Sequence, residues 1–336
     1  MFLISFIVFG LLLATIYIAN VRDAAHTHSA LLDWILYAIA GLNVWLGASA
    51  LSSGLASDAT GISLSDGLVA IVLAGITSGL AAAAIAAPAF RQLLKRAAGA
   101  ESTYDPASNV HLAAFVIALV GVSVNLITFI LGGGIEGLAG EISDAGITLD
   151  GVILQQVMWI ALALFGVGLW IRRGFSAAIA RLGLNTVTPR NIVAGLIGAT
   201  ACVAFLIIAG ILMQMVIGTD TLQEQQAASQ ALAGQFDSLS VALVVAIAVG
   251  IGEETLFRGA VQPVFGIWLT SLLFTIIHTQ YAFTPATLII FVVSLALGYL
   301  RKNYGTTSAI VAHATYNFFQ LAAAVLIGNT LMGGGS

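Results

Sequence analysis

The 336-residue sequence has few charged side chains and almost no cysteine. Charged residues make up 8% of the chain, whereas a soluble globular domain carries about 25%. With 11 Lys and Arg in total, the chain lacks the basic surface that binds nucleic acid. A single cysteine, Cys202, excludes an internal disulfide framework and zinc motifs built from cysteine pairs. Because 60% of the residues are hydrophobic, the composition excludes a soluble enzyme and predicts an all-α polytopic membrane protein.

Long uncharged runs predict about ten membrane-spanning helices, with eight to ten compatible with the pattern. Each span needs about 20 mostly apolar residues. The polar run Thr279–Pro285 separates the eighth and ninth spans, which are also compatible with one broken or re-entrant element. The predicted spans cover residues 1–20, 31–56, 67–90, 110–132, 151–171, 191–217, 238–257, 264–281, 284–300 and 305–328.

The positions of the charges predict the orientation of these spans. All 11 basic residues fall in alternate connections, among them Arg258 after the seventh span and Arg301 and Lys302 after the ninth. The intervening connections carry no basic residue, and three of them carry acidic residues. Because basic loops remain in the cytoplasm, both termini are expected outside. Small residues such as Gly75 and Gly79 predict close helix packing, and Asn43 predicts a hydrogen bond between helices.

Ionisable side chains inside the predicted spans are concentrated in the last third of the chain. Each one is expensive in a membrane, by about 3 kcal/mol or more, and therefore indicates a function. Glu254 and Arg258 are four residues apart, so they can pair on one helix face. Glu253 points about 100° away without such a cation, which suits a general base. The alternative is that both glutamates lie in water at the membrane interface.

Two later spans place polar side chains at a similar depth. His278 lies in the eighth span, and His313 and Asn317 share one face of the tenth. A glutamate and a histidine can hold and deprotonate a water, while a histidine and an asparagine can stabilise an oxyanion. This set suits hydrolysis of an amide or ester. Two histidines with glutamate would also make a zinc site, although the spacing is not HExxH.

Together these motifs resemble the CPBP family of CAAX proteases and bacteriocin-processing (Abi) intramembrane proteases. The family pattern reads EExxxR, FxxxH and HxxxN or HxxxD on successive membrane helices. The matching residues are Glu253, Glu254 and Arg258, then Phe274 and His278, then His313 and Asn317. The resemblance covers about residues 238–325 and implies a glutamate-dependent intramembrane endopeptidase.

The resemblance also implies roles for individual residues. It makes Glu253 and His278 the water-activating pair, and His313 and Asn317 the oxyanion site. The supporting residues would be Glu254, Arg258 and Phe274. A divalent metal such as zinc is left open; if present, it would be held by Glu253, His278 and His313.

These motifs suggest how the chain is organised and what it acts on. We expect an N-terminal transmembrane bundle over 1–217, an external connection over 218–237, and CPBP-like catalytic helices over 238–328. The substrate would be a membrane-associated peptide or protein, prenylated or not, cleaved near the cytoplasmic face of a prokaryotic plasma membrane. The sequence leaves the oligomeric state open.

Two other function classes remain open from the sequence. One is a catalytically silent immunity or scaffold protein that acts through its helices. The other is a transporter that uses the Glu and His cluster as a proton or metal relay.

Overall fold

The computed structural model describes residues 2–56, 60–146, 148–184, 187–216, 235, 238–279, 284 and 286–333. Over these residues the regular elements are helices, joined by turns and loops, and the one strand-like feature is an isolated bridge between Leu169 and Arg173, which confirms the all-α prediction. Nine stretches of the described chain are long and apolar enough to cross a membrane, within the predicted range. The predicted external connection lies outside the described residues except for Gln235, as does most of the Thr279–Pro285 run. The orientation of the spans stays a prediction.

The chain divides into two compact units. One contains Met1–Gly134, Leu164–Ala178 and Pro263–Leu269, and the other contains Ile135–Ala163, Ile179–Gln262 and Thr270–Ser336. These boundaries differ from the predicted division around 218–237, because Ile135–Ala163 and the residues from Ile179 group with the last third of the chain, and Pro263–Leu269 groups with the N-terminal helices. The division into a bundle over 1–217 and catalytic helices over 238–328 stays a prediction.

Most of the first unit is formed by five helices, α1 to α5, which end where the sequence supplies caps and breaks. Pro88 begins a new helix, so the third span ends at Ala86 rather than at the predicted residue 90. Asp23 accepts hydrogen bonds from the Ser108 hydroxyl (2.6 Å) and the Asn109 backbone N–H (2.7 Å), which caps α5. The helices are α1 Phe2–Ala24, α2 Ala30–Leu55, α3 Leu64–Ala86, α4 Pro88–Ala98 and α5 Asn109–Leu131.

Helices α2 and α3 pack closely through small residues. Asn43 donates to the hydroxyls of Thr77 and Ser78, both at 3.0 Å, which confirms the predicted interhelical hydrogen bond. A Cβ added at Gly47 would lie 2.7 Å from the Ala74 Cβ, so the absence of a side chain permits this approach. The predicted close contact at Gly75 and Gly79 is wrong, because no atom lies within 4 Å of an added Cβ at either position.

The rest of the chain continues as helices, one of them interrupted by a π-helical segment. One of these helices is short and covers Phe175–Arg181. The elements are α6 Gly134–Ala145, α7 Leu149–Gly166, α8 Phe175–Arg181, α9 Pro189–Val216, α10 Leu239–Glu254, the π-helical segment Thr255–Val261, α11 Gln262–Ile277, α12 Ala286–Tyr304 and α13 Thr306–Gly333.

The stretch from α10 to α11 is a hairpin whose turn lies at Gly266. A straight helix would separate Glu253 from His278 by about 37 Å. Their side chains instead approach to 3.8 Å, so the chain must reverse between them. Gly266 is the non-helical residue in this stretch, with φ 77° and ψ 170°, a conformation that only glycine adopts readily. The seventh and eighth predicted spans are therefore the two arms of this hairpin.

Replacing Gly266 with Ala is expected to destabilise the protein by about 2 kcal/mol or more, because the conformation strains any residue with a side chain. The added Cβ would also overlap the Ala98 carbonyl oxygen. Thermal unfolding of the purified protein in detergent measures the effect. Gly75→Ala is the matched control: it lies in a helix with open space around an added Cβ, so its melting temperature should not fall. Equal melting temperatures for the two variants would contradict this account of the turn.

Candidate functional site

The two adjacent glutamates lie at the end of α10, where the apolar helix meets the π-helical segment. Glu254 is fully buried and Glu253 is 9% exposed, so the alternative that both lie in water at the interface is wrong. Glycines on the preceding turn allow the neighbouring helices to come close. A Cβ added at Gly250 would lie 2.9 Å from the Ala314 backbone nitrogen of α13. This close approach brings α13, which carries His313, against the glutamates.

Arg258 lies inside the protein rather than in a cytoplasmic connection, which corrects the sequence-based placement. It is fully buried in the π-helical segment, and its Nε lies 3.2 Å from Glu254 Oε2, confirming the predicted pair. Its Nη2 donates to the Ser294 hydroxyl at 3.0 Å, and its guanidinium lies over the Phe274 ring at 4.8 Å. A buried arginine is tolerated here because a carboxylate, a hydroxyl and an aromatic face surround it.

Glu254 also holds the histidine of α13. His313 is 2% exposed, and its Nδ1 lies 2.8 Å from Glu254 Oε1. A carboxylate accepts, so Nδ1 carries the proton and Nε2 is left facing away from Glu254. Tyr316 stacks on the His313 ring at 5.0 Å between centroids. Glu254 therefore binds Arg258 with one oxygen and orients His313 with the other.

His278 lies directly after the end of α11, which is the second and shorter arm of the hairpin. Its backbone leaves the helical region at φ −85° and ψ 65°, which ends α11. Its Nδ1 lies 2.6 Å from the Phe274 carbonyl oxygen. Because a carbonyl can only accept, Nδ1 must donate, and the neutral ring then presents Nε2 as an acceptor. The Phe274 ring lies 4.3 Å from the His278 ring and 6.2 Å from the His313 ring, between centroids.

Both histidines face Glu253. Its Oε2 lies 3.8 Å from His278 Nε2 and 3.9 Å from His313 Nε2. These separations are too long for direct hydrogen bonds, and Oε2 is buried without a hydrogen-bond partner among the described residues. They are short enough for one water molecule to bridge the carboxylate and a ring. The structure thus brings Glu253, His278 and His313 together, as the depth argument predicts.

Asn317 lies one turn after His313 on α13, on the same face and half-buried. Within the described residues, no hydrogen bond links its side chain to the glutamates or histidines. Two neighbours of the site were not predicted from the sequence, namely Tyr316 and Ser294. Both look like ordinary residues of an apolar helix, and only their contacts with His313 and Arg258 reveal them.

A metal site is not formed by these donors in their present arrangement. Within the part of the chain that the structure describes, no group of three or more His, Cys, Asp or Glu side chains is arranged to hold a metal ion. His313 Nδ1 is held by Glu254, and the Nε2 atoms of His278 and His313 face Glu253 Oε2 at 3.8 and 3.9 Å. These three side chains are therefore the ones that would hold a divalent metal, which would polarise a bound water.

Comparison with known proteins identifies the same segment. Residues 235–319 match the family model described as type II CAAX prenyl endopeptidase Rce1-like, which covers about a quarter of the chain. No curated protein and no solved structure matches the chain. The match includes all three motifs and supports their assignment to the CAAX protease family, a family of intramembrane proteases. The relationship to the bacteriocin-processing (Abi) proteases stays a prediction, and the first 234 residues lie outside the match.

Proposed function

We propose that this protein is an intramembrane endopeptidase in which Glu253 and His278 activate a water molecule. One observation carries the proposal: Glu253 Oε2 and His278 Nε2 face each other across 3.8 Å. With Nδ1 of His278 donating to a carbonyl, both atoms are acceptors. Two acceptors at this distance are satisfied by one water that donates a hydrogen to each. This is the arrangement that general-base hydrolysis requires.

The proposed reaction begins with this water. Its oxygen attacks the carbonyl carbon of the scissile peptide bond while Glu253 takes its proton. His278 accepts the second hydrogen bond and orients the water. The proton then passes to the amide nitrogen as the C–N bond breaks, releasing an amine and a carboxylic acid. Every atom is supplied by the peptide, the water and these two side chains.

The other histidine would stabilise the negative charge that develops on the carbonyl oxygen. Glu254 orients His313 and balances its positive charge when the ring is an imidazolium, so Nε2–H is then available as a donor. We assign Asn317 as the second donor, because it shares the His313 face of α13. Donors held in advance by buried contacts act most strongly in a site that excludes water.

The membrane setting and the family match support a proposal for the substrate class. We propose a membrane-associated peptide or protein, including prenylated ones, cleaved near the cytoplasmic face of a prokaryotic plasma membrane. In this proposal, residues 238–328 form the catalytic helices. The N-terminal bundle over 1–217 controls which substrates reach them.

His278→Ala is expected to lower kcat by about 10²-fold or more, since the water loses one of its two acceptors. The measurement is cleavage of quenched-fluorescent peptides, prenylated and plain, by purified protein in detergent. His28→Ala is the control, because His28 is an exposed histidine paired with Asp33. A chelator arm, run on the wild type, measures whether a divalent metal contributes.

The outcomes of this experiment separate the proposed function from its rivals. Cleavage that is unchanged in His278→Ala would contradict the site assignment. A cellular phenotype that survives loss of both Glu253 and His278 would favour the scaffold. Ion flux into proteoliposomes that disappears in Glu253→Gln, without peptide cleavage, would favour the transporter.

A further inference from the structure

One buried polar side chain beside the site comes from a helix outside the family match. Gln156 lies in the middle of α7, within an otherwise apolar run, and is 4% exposed. Its Oε1 is buried and has no hydrogen-bond partner among the described residues. Burying such an acceptor without a partner costs about 1–3 kcal/mol. A buried acceptor without a partner is open to a hydrogen bond from a bound ligand or a water.

The position of Gln156 is set by its contact with α10. Its side chain, including Oε1, packs against Gly252, the residue before Glu253, where an added Cβ would overlap Gln156 Oε1 and lie 2.8 Å from the Gln156 Cβ. Only glycine permits this approach. One turn further along α7, Trp159 packs edge-on against Phe257 with centroids 5.2 Å apart. Phe257 lies four residues after Glu253 on the same face, so α7 follows that face and Gln156 lies at the level of Glu253.

We propose that Gln156 binds the substrate, with its Oε1 accepting a backbone N–H of the peptide next to the scissile bond. This inference rests on the proposed function. Among the buried side-chain atoms of the site without a hydrogen-bond partner, Glu253 Oε2 is assigned to the water, and Glu254 Oε2 and Arg258 Nε form an ion pair with each other at 3.2 Å. A bound peptide also brings N–H groups that need acceptors once water is excluded. Gln156 supplies a neutral acceptor at the level where the scissile bond must lie.

Gln156→Met tests this with little change in side-chain length. The probe is a farnesylated, quenched-fluorescent CAAX-type peptide. Loss of one hydrogen bond to the peptide should lower kcat/KM about tenfold, mainly through KM, because the bond is made in both the ground and transition states. The melting temperature should stay level or rise, since an unpaired buried group is removed. Gln155→Met is the matched control, because Gln155 is the adjacent exposed glutamine on α7.

A second measurement uses the peptide itself. Each backbone amide other than the scissile one is replaced in turn by an ester, which removes its N–H. We expect the ester at one position to lower cleavage by the wild type about tenfold. The same ester should cause no further loss of cleavage in the Gln156→Met variant, which already lacks this hydrogen bond. Additive losses at every position would overturn the proposal.

The result with Glu253→Gln distinguishes failure of this inference from failure of the proposed function. If cleavage depends on Glu253 but Gln156→Met matches the wild type, only the role of Gln156 is overturned. The proposed role of Gln156 is also overturned if Gln156→Met lowers the melting temperature enough for unfolding to account for the loss of cleavage. If cleavage survives Glu253→Gln, the proposed function fails and this inference fails with it.

Discussion

Replacing Glu253 with Gln should lower kcat for peptide cleavage by about 10³-fold while leaving the fold intact. The amide has nearly the same shape but cannot take a proton from water, which removes general-base catalysis. The stability should not fall, because Glu253 Oε2 has no direct hydrogen-bond partner and lies 3.8 and 3.9 Å from the two histidines. Removing a buried charge that lacks a close partner is neutral or stabilising.

The measurement is single-turnover cleavage of the farnesylated peptide together with thermal unfolding in detergent. Glu136→Gln is the control, because Glu136 is an exposed glutamate at the start of α6. A Glu253→Gln variant that retains more than a tenth of the wild-type kcat would exclude Glu253 as the base.

The local geometry of the site could be predicted from the sequence because it depends on spacing along single helices. Four residues separate Glu254 from Arg258, and this alone places both on one face. The structure confirms the pair at 3.2 Å. The agreement in depth between Glu253 and the two histidines was also predictable, since it needed only distances counted from the ends of the helices.

Contacts between helices could not be predicted in the same way. The hydropathy pattern places Arg258 in a loop, because hydropathy scales treat every charged side chain as exposed to water. Its burial depends on Ser294 and Phe274, which lie on other helices. Likewise, Gly75 and Gly79 have the spacing of a packing motif, yet the register of α2 against α3 places the contact at Gly47. Register depends on the fit of two whole surfaces, which a single-helix pattern does not contain.

Gln156 illustrates the same limit at the site. The sequence shows two adjacent glutamines in a predicted span, Gln155 and Gln156, but it does not show which one is buried. It also does not show that the buried one packs against Gly252. The sequence does contain two relevant features, namely two polar residues in the apolar run of α7 and a glycine directly before Glu253. Only the packing of α7 on α10 joins the two.

Replacing Glu254 with Gln is expected to have a different effect from the same change at Glu253, with loss of both stability and cleavage. Glu254 is fully buried, pairs with Arg258, and holds His313 Nδ1 at 2.8 Å. Removing its charge leaves the buried Arg258 guanidinium uncompensated, which typically costs 3–5 kcal/mol, so about that much loss in the free energy of unfolding is expected. Cleavage should fall as well, because His313 loses the carboxylate that orients it.

The double variant Glu254→Gln with Arg258→Met separates the two effects. Removing both charges eliminates the uncompensated arginine, so the double variant should unfold at a higher temperature than Glu254→Gln alone. Its cleavage should stay low, because His313 still lacks the carboxylate that orients it and balances its charge. Recovery of cleavage together with stability would mean that Glu254 acts only by neutralising Arg258. The same substitution is therefore expected to have different effects at the two adjacent glutamates. Glu253→Gln should give an inactive protein of unchanged stability, whereas Glu254→Gln should give an inactive and less stable one. Adding Arg258→Met to Glu254→Gln should restore stability but not cleavage.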